Sequence, residues 1–445
     1  MSFRAVVDLQ DYSSRGLALA LSEAVGDGRL RKGDRLPPIR TVASDLQLSP
    51  TTVSAAWSML ARRGVIRTDG RRGTTVTALG APGPTRYRRA LRGRATFSLD
   101  VSTGVPDPQL LPLLDAALRA VPHSGSRGSY LDDPVLPQLR EVLRGDWPYD
   151  AEQLTVTDGA MDALDLIVAV HLEPGDTVAV EHPCFPPMLD LLDAYGMRSF
   201  GLAMDAHGPT VESVRAAVRR RVTAIFLQPR AHNPTGVCLT AERAAAIAAA
   251  LAGFDVLVVE DDSAGAIASA APLSLGRWLP ERVLHIRSFS KSHGPDLRLA
   301  AMSGPAARID PISERRLLGQ GWTSRLLQAV LVELLNDDAA VWQVDAARRE
   351  YARRRSALVG GLAEAGVPVT GTDGLNIWLP VQDEAAALVH LAGRGIAAAA
   401  GSPFHVLADD HAHLRITTGL VRDGHERLVH DLVDAAGASA WAGPR

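Results

Sequence analysis

Of the 47 basic side chains in this 445-residue chain, 45 are arginine and only two, Lys32 and Lys291, are lysine. Guanidinium is permanently protonated, whereas an ammonium can lose its proton and condense with an aldehyde to form an imine. A lysine that survives such a bias is either a chance survivor or a candidate for a task that arginine cannot do, and the neighbouring residues decide which. Lys32 lies in a Gly/Pro-punctuated basic turn, GRLRKGDRLPPIR, and needs no such explanation. Lys291 lies in RSFSKSHGPDLR, flanked by hydroxyls at Ser288, Ser290 and Ser292, with Arg298 seven residues on. Four other short motifs carry chemistry. In TDGAMDAL, Gly159 turns the chain into a helix whose first amides, at Gly159, Ala160 and Met161, could cradle a phosphate. EHPCFPP supplies the aromatic ring of Phe185, PRAHNPTG the amide of Asn233, and EDD the carboxylate of Asp261.

Apolar β-branched runs alternate with helix-length segments from Leu99 onward. Strands are expected at Gln153–Thr157, Thr177–Val180, Ala224–Gln228, Val256–Val259, Val283–Ile286 and Arg298–Met302. Most of these runs are apolar on both faces, the pattern of a buried, mainly parallel sheet in an α/β domain. Ligands in such sheets sit at the carboxyl ends of the strands, and each of the motifs above follows one of these runs. Together they suit one cofactor, pyridoxal 5′-phosphate. It needs a lysine for the imine (Lys291), a carboxylate for its ring nitrogen (Asp261), a donor for its ring oxygen (Asn233) and an aromatic cover (Phe185). It also needs a hydroxyl, amide and guanidinium nest for its phosphate, here Gly159, Ala160, Ser288, Ser290 and Arg298.

The NPTG tetrad and the SFSK-x₆-R pattern resemble the fold-type I, aspartate-aminotransferase-like superfamily, from about Leu99 to the C-terminus. The resemblance implies that Lys291 carries the imine, Asp261 pairs with the pyridine nitrogen, Asn233 bonds the ring hydroxyl, and Ser288, Ser290 and Arg298 hold the phosphate. It also implies that Tyr130, in SYLDDPVLPQLR, reaches the phosphate of a partner subunit, and that Arg415, in HLRIT, grips a substrate carboxylate. There are departures from the family pattern. Ser263 and Ala264 stand where a tyrosine is usual, Leu136 where a glycine is usual, and Asn376 where related regulators often have histidine. These changes put efficient transamination in doubt.

Charge separates an N-terminal module from this body. Residues 1–97 carry 17 Lys+Arg against 7 Asp+Glu, and the remaining 348 carry 30 against 43. A basic module on an acidic body is the signature of polyanion binding. A helix is expected over Gly16–Gly26, a second over Thr41–Leu46, and a third from Thr51 to about Arg63, capped by Ser49 with Pro50 at its first position. Two short β runs, Val65–Thr68 and Thr74–Thr77, flank the loop DGRRG. This is the order of a winged helix-turn-helix, whose second helix enters the major groove and whose wing reaches phosphates or the minor groove. RLPPIRTVASDLQLSPTTVSAAWSMLARRGVIRTDGRRGTTV closely resembles the DNA-binding domain of the GntR family of bacterial regulators. By that resemblance Arg40, Thr51, Thr52, Arg71 and Arg72 contact DNA. Residues 79–97 form a Gly/Pro/Arg linker, which is either a solvated tether or a source of further phosphate contacts.

The composition excludes other classes. Cys184 and Cys238 make no disulfide framework and lack zinc spacing, so no metal is expected. The first residues contain no apolar secretory core, and the longest uncharged helical run, Ala244–Phe254, is too short to span a bilayer. A cytoplasmic protein with no membrane partner is expected. The expected architecture is therefore multidomain: a winged helix-turn-helix over residues 1–78, a linker over 79–97, and an α/β fold-type I domain over 98–445. Together the two halves resemble the MocR subfamily of transcription regulators. The resemblance implies a homodimer that binds double-stranded DNA and senses pyridoxal phosphate, an amino acid or an amine. An active aminotransferase with an accessory DNA-binding module is the alternative, and the sequence leaves open whether the body turns over.

Overall fold

The computed structural model describes residues 3, 7, 9, 11–26, 29–31, 33–62, 65–69, 73–76, 86, 97–121, 129–130, 132–407 and 411–439. Lys32, Arg71 and Arg72 lie outside these residues, as does the linker except for Arg86 and Phe97. The chain divides into two compact units, Met1–Thr85 with Asp190–Gly196, and Arg86–Leu189 with Met197–Arg445.

In the first unit, helices α1 (Ser14–Gly26), α2 (Ile39–Leu46) and α3 (Pro50–Arg62) bury one apolar face each. Leu17, Leu21, Val42, Leu46, Val53, Ala56, Trp57 and Leu60 form a shared core. Each buried Leu or Val among them contributes about 1.5–3 kcal/mol. α2 stops at Gln47, which adopts a left-handed conformation (φ 57°) and returns its amide to Ala43 and Ser44. α3 starts where expected: the Thr52 amide donates to Ser49 Oγ at 3.0 Å. The wing forms from β2 (Ile66–Asp69) and β3 (Gly73–Val76), each shifted by one residue from the sequence expectation. A third strand, β1 (Arg35–Leu36), pairs antiparallel with β3. Two residues are too short to show periodicity, which is why the sequence pattern missed β1.

In the second unit, β4 (Leu99–Asp100) leads into the domain, followed by β5 (Gln153–Thr157), β6 (Thr177–His182), β7 (Arg198–Asp205), β8 (Gly208–Pro209), β9 (Ala224–Leu227), β10 (Leu257–Asp262), β11 (Val283–Ser288) and β12 (Ala300–Gly304). The last eight form one sheet in the order β5-β12-β11-β10-β9-β6-β7-β8. It is parallel from β11 through β7, with β12 antiparallel to both its neighbours and β8 antiparallel to β7. β13 (Asn376–Pro380), β15 (Ala399–Ala400) and β16 (His413–Thr417) make a smaller antiparallel sheet with β16 in the middle, and β14 (Ile396–Ala397) pairs with β4. A 27-residue helix, Asp338–Glu364, precedes the smaller sheet and packs Leu358 and Leu362 into its core.

One expectation is corrected. Arg298 is not in a strand: it follows the single turn Pro295–Leu297 with φ 51°, and the strand starts at Ala300. Gly294 and Pro295 break the extended run, because proline fixes φ and donates no ladder hydrogen bond. β10 also runs further than the apolar pattern, because buried Asp262 is paired with Arg230 at 2.5 Å.

Candidate functional site

The strand ends bring the expected residues to one region. Lys291, one turn past the end of β11, is half-buried, and its Nζ donates to Ser263 Oγ at 3.5 Å. Burial lowers its pKa, opposed by Asp261 and assisted by Arg415. The loop that carries it is tied down by the Ser290 amide, which donates to Ser288 Oγ at 3.3 Å. Gly159 caps the helix Ala160–His171 with φ 98°, a conformation open to glycine at little cost. A Cβ there would lie 3.0 Å from Arg298 Nη2. Arg298 donates to Asp158 O at 3.0 Å while its side chain stays exposed. The Gly159 end of this helix and an exposed guanidinium thus lie side by side, an arrangement that suits an anion.

Asp261 is buried in β10. Its Oδ2 accepts from Gln228 Nε2 at 2.8 Å, and its Oδ1 is buried with no hydrogen-bond partner among the described residues. Burial raises its pKa, against the hydrogen bond from Gln228 and the charge of Lys291. Gln228 spans the site: its Oε1 accepts from the Asn233 backbone N–H at 2.8 Å, and its own backbone N–H donates to Glu181 Oε2 at 2.7 Å. Phe185, Cys184, Met188, Glu181, Gln228 and Asp261 line one small cavity. Burial pushes the nearby His232 down to about 3, so this imidazole stays neutral.

Arg415 lies on β16 and is 1% exposed. It donates to Ser102 O, stacks over the Phe404 ring at 5.3 Å, and leaves no room at Gly104, where a Cβ would lie 3.1 Å from Nη1. Beside it, the Gly104 amide donates to Thr417 Oγ1 at 2.9 Å, Thr417 Oγ1 donates to Asn376 Oδ1 at 3.1 Å, and Asn376 Nδ2 donates to Asn233 Oδ1 at 3.4 Å. Tyr130 stands apart from these groups. It is 89% exposed and meets Trp322 edge-on at 5.7 Å.

In the N-terminal unit, Arg40 and Thr51 are exposed and Thr52 half-buried. The hydroxyls of Thr51 and Thr52 each lie 2.7 Å from Ser49 Oγ, at the start of α3. Sequence reasoning missed Gln228, Glu181 and Thr417, and noted Asn376 only as a departure from the family pattern. Gln228 had the clearest signal, an amide at a strand end five residues before Asn233.

Comparison with known proteins agrees on the framework. Residues 99–432 match the family model of aminotransferase class I and II, and residues 14–76 that of bacterial regulatory proteins of the gntR family. The vitamin B6 salvage pathway transcriptional repressor PtsJ of Salmonella typhimurium is 36% identical over 412 residues, covering 89% of this chain and 92% of that protein. The HTH-type transcriptional regulator TauR of Rhodobacter capsulatus is 30% identical over 399 residues, covering 80% and 81%. Among solved structures, the α-aminoadipate aminotransferase LysN of Thermus thermophilus superposes with a TM-score of 0.70 at 22% identity, covering 80% of this chain and 95% of that one. The kynurenine aminotransferase of Pyrococcus horikoshii gives 0.69 at 22%, covering 81% and 96%; both show likeness of fold. The chain belongs to the MocR type of gntR-family transcription regulators, in which a helix-turn-helix module is joined to an aminotransferase class I and II domain.

Proposed function

We propose that this regulator binds double-stranded DNA through its winged helix-turn-helix and holds pyridoxal 5′-phosphate in its aminotransferase-like domain, where an amino acid or amine can reach it. The observation that carries the reading is Asp261, a buried carboxylate with one oxygen held by Gln228 and the other unpartnered among the described residues. A buried acceptor of this kind costs about 1–3 kcal/mol, and a protonated ring nitrogen is the donor that would offset it. When bound, pyridoxal phosphate supplies an aldehyde carbon and an electron-withdrawing ring. The chain's own residues then have distinct tasks. Burial lowers the pKa of Lys291, which favours the neutral amine that imine formation needs. Gly159, Ala160, Ser288, Ser290 and Arg298 would hold the phosphate, Phe185 would cover the ring, and Asn233 would donate to the ring oxygen. Arg415 would receive the carboxylate of an amino-acid effector by a bidentate pair.

Exposed Tyr130, with Leu317, Leu318 and Leu326 also exposed, supports a homodimer in which this tyrosine serves the partner subunit's phosphate site. Arg40, Thr51 and Thr52, with Arg71 and Arg72 of the wing, would contact DNA from the module at residues 1–78. The linker is placed at residues 79–97 and the cofactor domain at 98–445. Among the described residues no helix is long and apolar enough to cross a membrane, and a cytoplasmic regulator accords with that. The relative named for vitamin B6 salvage gives the cofactor reading further support. A ligand controls DNA binding only if its affinity differs between DNA-competent and other states. Borohydride reduction of the protein with pyridoxal phosphate, followed by peptide mapping, tests the reading. Labelling at Lys291 is expected; labelling only at Lys32 or the amino terminus would overturn it.

A further inference from the structure

We propose that Asn376 and Thr417 are positioning residues that turn the Asn233 amide so that its NH₂ end is offered to the cofactor's ring oxygen. The inference rests on the cofactor reading above and deepens it. A side-chain amide has a donor end and an acceptor end of nearly the same shape, so its surroundings must choose between them. Here the choice starts from a group that cannot be reversed, the backbone N–H of Gly104, which donates to Thr417 Oγ1 at 2.9 Å. That hydroxyl passes its one hydrogen to Asn376 Oδ1 at 3.1 Å. Asn376 is thereby held with its Nδ2 toward Asn233, and donates to Asn233 Oδ1 at 3.4 Å. The oxygen of Asn233 is then occupied by Asn376, which leaves its Nδ2 end for another acceptor. Thr417 is fully buried, Asn376 is 4% exposed and Asn233 6%, so water has little access to compete along the chain. From the other side, the Asn233 backbone N–H donates to Gln228 Oε1 and holds the residue in place.

The consequence is electrostatic. A donor on the ring oxygen stabilises its anionic form and lowers the pH at which an imine at Lys291 loses its proton. The reverse orientation would set carbonyl lone pairs against that oxygen. Loss of the orienting chain therefore raises this midpoint. The charged groups that act on Lys291 are Asp261, Asp262 and Arg415, and none of them is altered by the substitutions used below.

The test is a spectrophotometric pH titration of the full-length protein loaded with pyridoxal phosphate. Wild type is compared with Asn376→Leu, Thr417→Val, Asn233→Ala and the Asn233→Ala/Asn376→Leu pair. Asn376→Leu and Asn233→Ala are expected to raise the midpoint by about 0.5 unit or more. The pair should go no further, because both act through one donor. Thr417→Val, nearly isosteric, should shift the midpoint in the same direction by less, and it decides the matter should Asn376→Leu fail to fold. Wild-type midpoints for Asn376→Leu and Thr417→Val beside a shifted Asn233→Ala, or shifts that add in the pair, would overturn the positioning role alone. A wild-type protein with no borohydride-reducible adduct at Lys291 would instead remove the cofactor reading, and this proposal with it.

Discussion

Asp261 is a buried carboxyl that, on the proposed reading, is held for binding at the expense of stability. Its carboxyl is buried, one oxygen lacks a partner among the described residues, and burial raises its pKa. A carboxyl raised in the folded state keeps its proton at a pH where the unfolded chain has released it, so stability falls as pH rises through that window. Asp261→Asn removes the charge and keeps the shape. In urea denaturation without cofactor, this variant should be as stable as wild type or more so at neutral pH, by up to about 1–3 kcal/mol. The difference should shrink on acidification, where wild-type Asp261 is protonated. Affinity for pyridoxal phosphate should fall at least about tenfold, the trade between stability and function expected of a strained site. A variant less stable at neutral pH, with cofactor affinity intact, would show that Asp261 is structural.

Single elements set the remaining geometry, and at this scale the sequence was legible in uneven measure. Lys291, Asp261, Asn233, Phe185 and Gly159 could be found because each follows an apolar run, and a parallel sheet gathers such ends on one side. Gln228 and Thr417 could not, and Asn376 stood out only as a departure from the family pattern. Their roles come from pairings such as Asn376 with Asn233, 143 residues apart, which no local pattern encodes. The conformation of Arg298 was likewise hidden, since it depends on the turn that Pro295 imposes. Two substitutions test the elements themselves. Gly159→Ala places a Cβ at positive φ and 3.0 Å from the Arg298 guanidinium. It should cost about 1–3 kcal/mol by urea denaturation and weaken pyridoxal phosphate or inorganic phosphate binding together with it; unchanged values of both would remove the cradle. Ser49→Ala should lower the stability of the N-terminal unit by about 1 kcal/mol, as for other N-cap losses. It should also weaken DNA binding, because Ser49 Oγ holds both Thr51 and Thr52 hydroxyls. Gel-shift titration beside thermal melting separates the two effects.

On the scale of the whole molecule, 17 basic against 7 acidic side chains lie in residues 1–97, and 30 against 43 in the rest. Phosphate contacts therefore belong to the N-terminal module, and binding should weaken steeply with salt through counterion release. On the proposed reading the acidic body recognises the ligand, with one amine, one half-satisfied carboxylate and a buried guanidinium on β16. A regulator built this way depends on coupling between the halves, a free energy that works in both directions. The most direct measurement is DNA affinity at fixed salt, with and without pyridoxal phosphate, for wild type and Lys291→Ala. The duplex would be one selected by the protein from a random double-stranded library. Wild-type affinity should change at least about fivefold on cofactor loading, a coupling of about 1 kcal/mol, while Lys291→Ala should bind DNA with an affinity that loading leaves unchanged. Equal responses in both proteins, or none in either, would contradict a regulator controlled through Lys291.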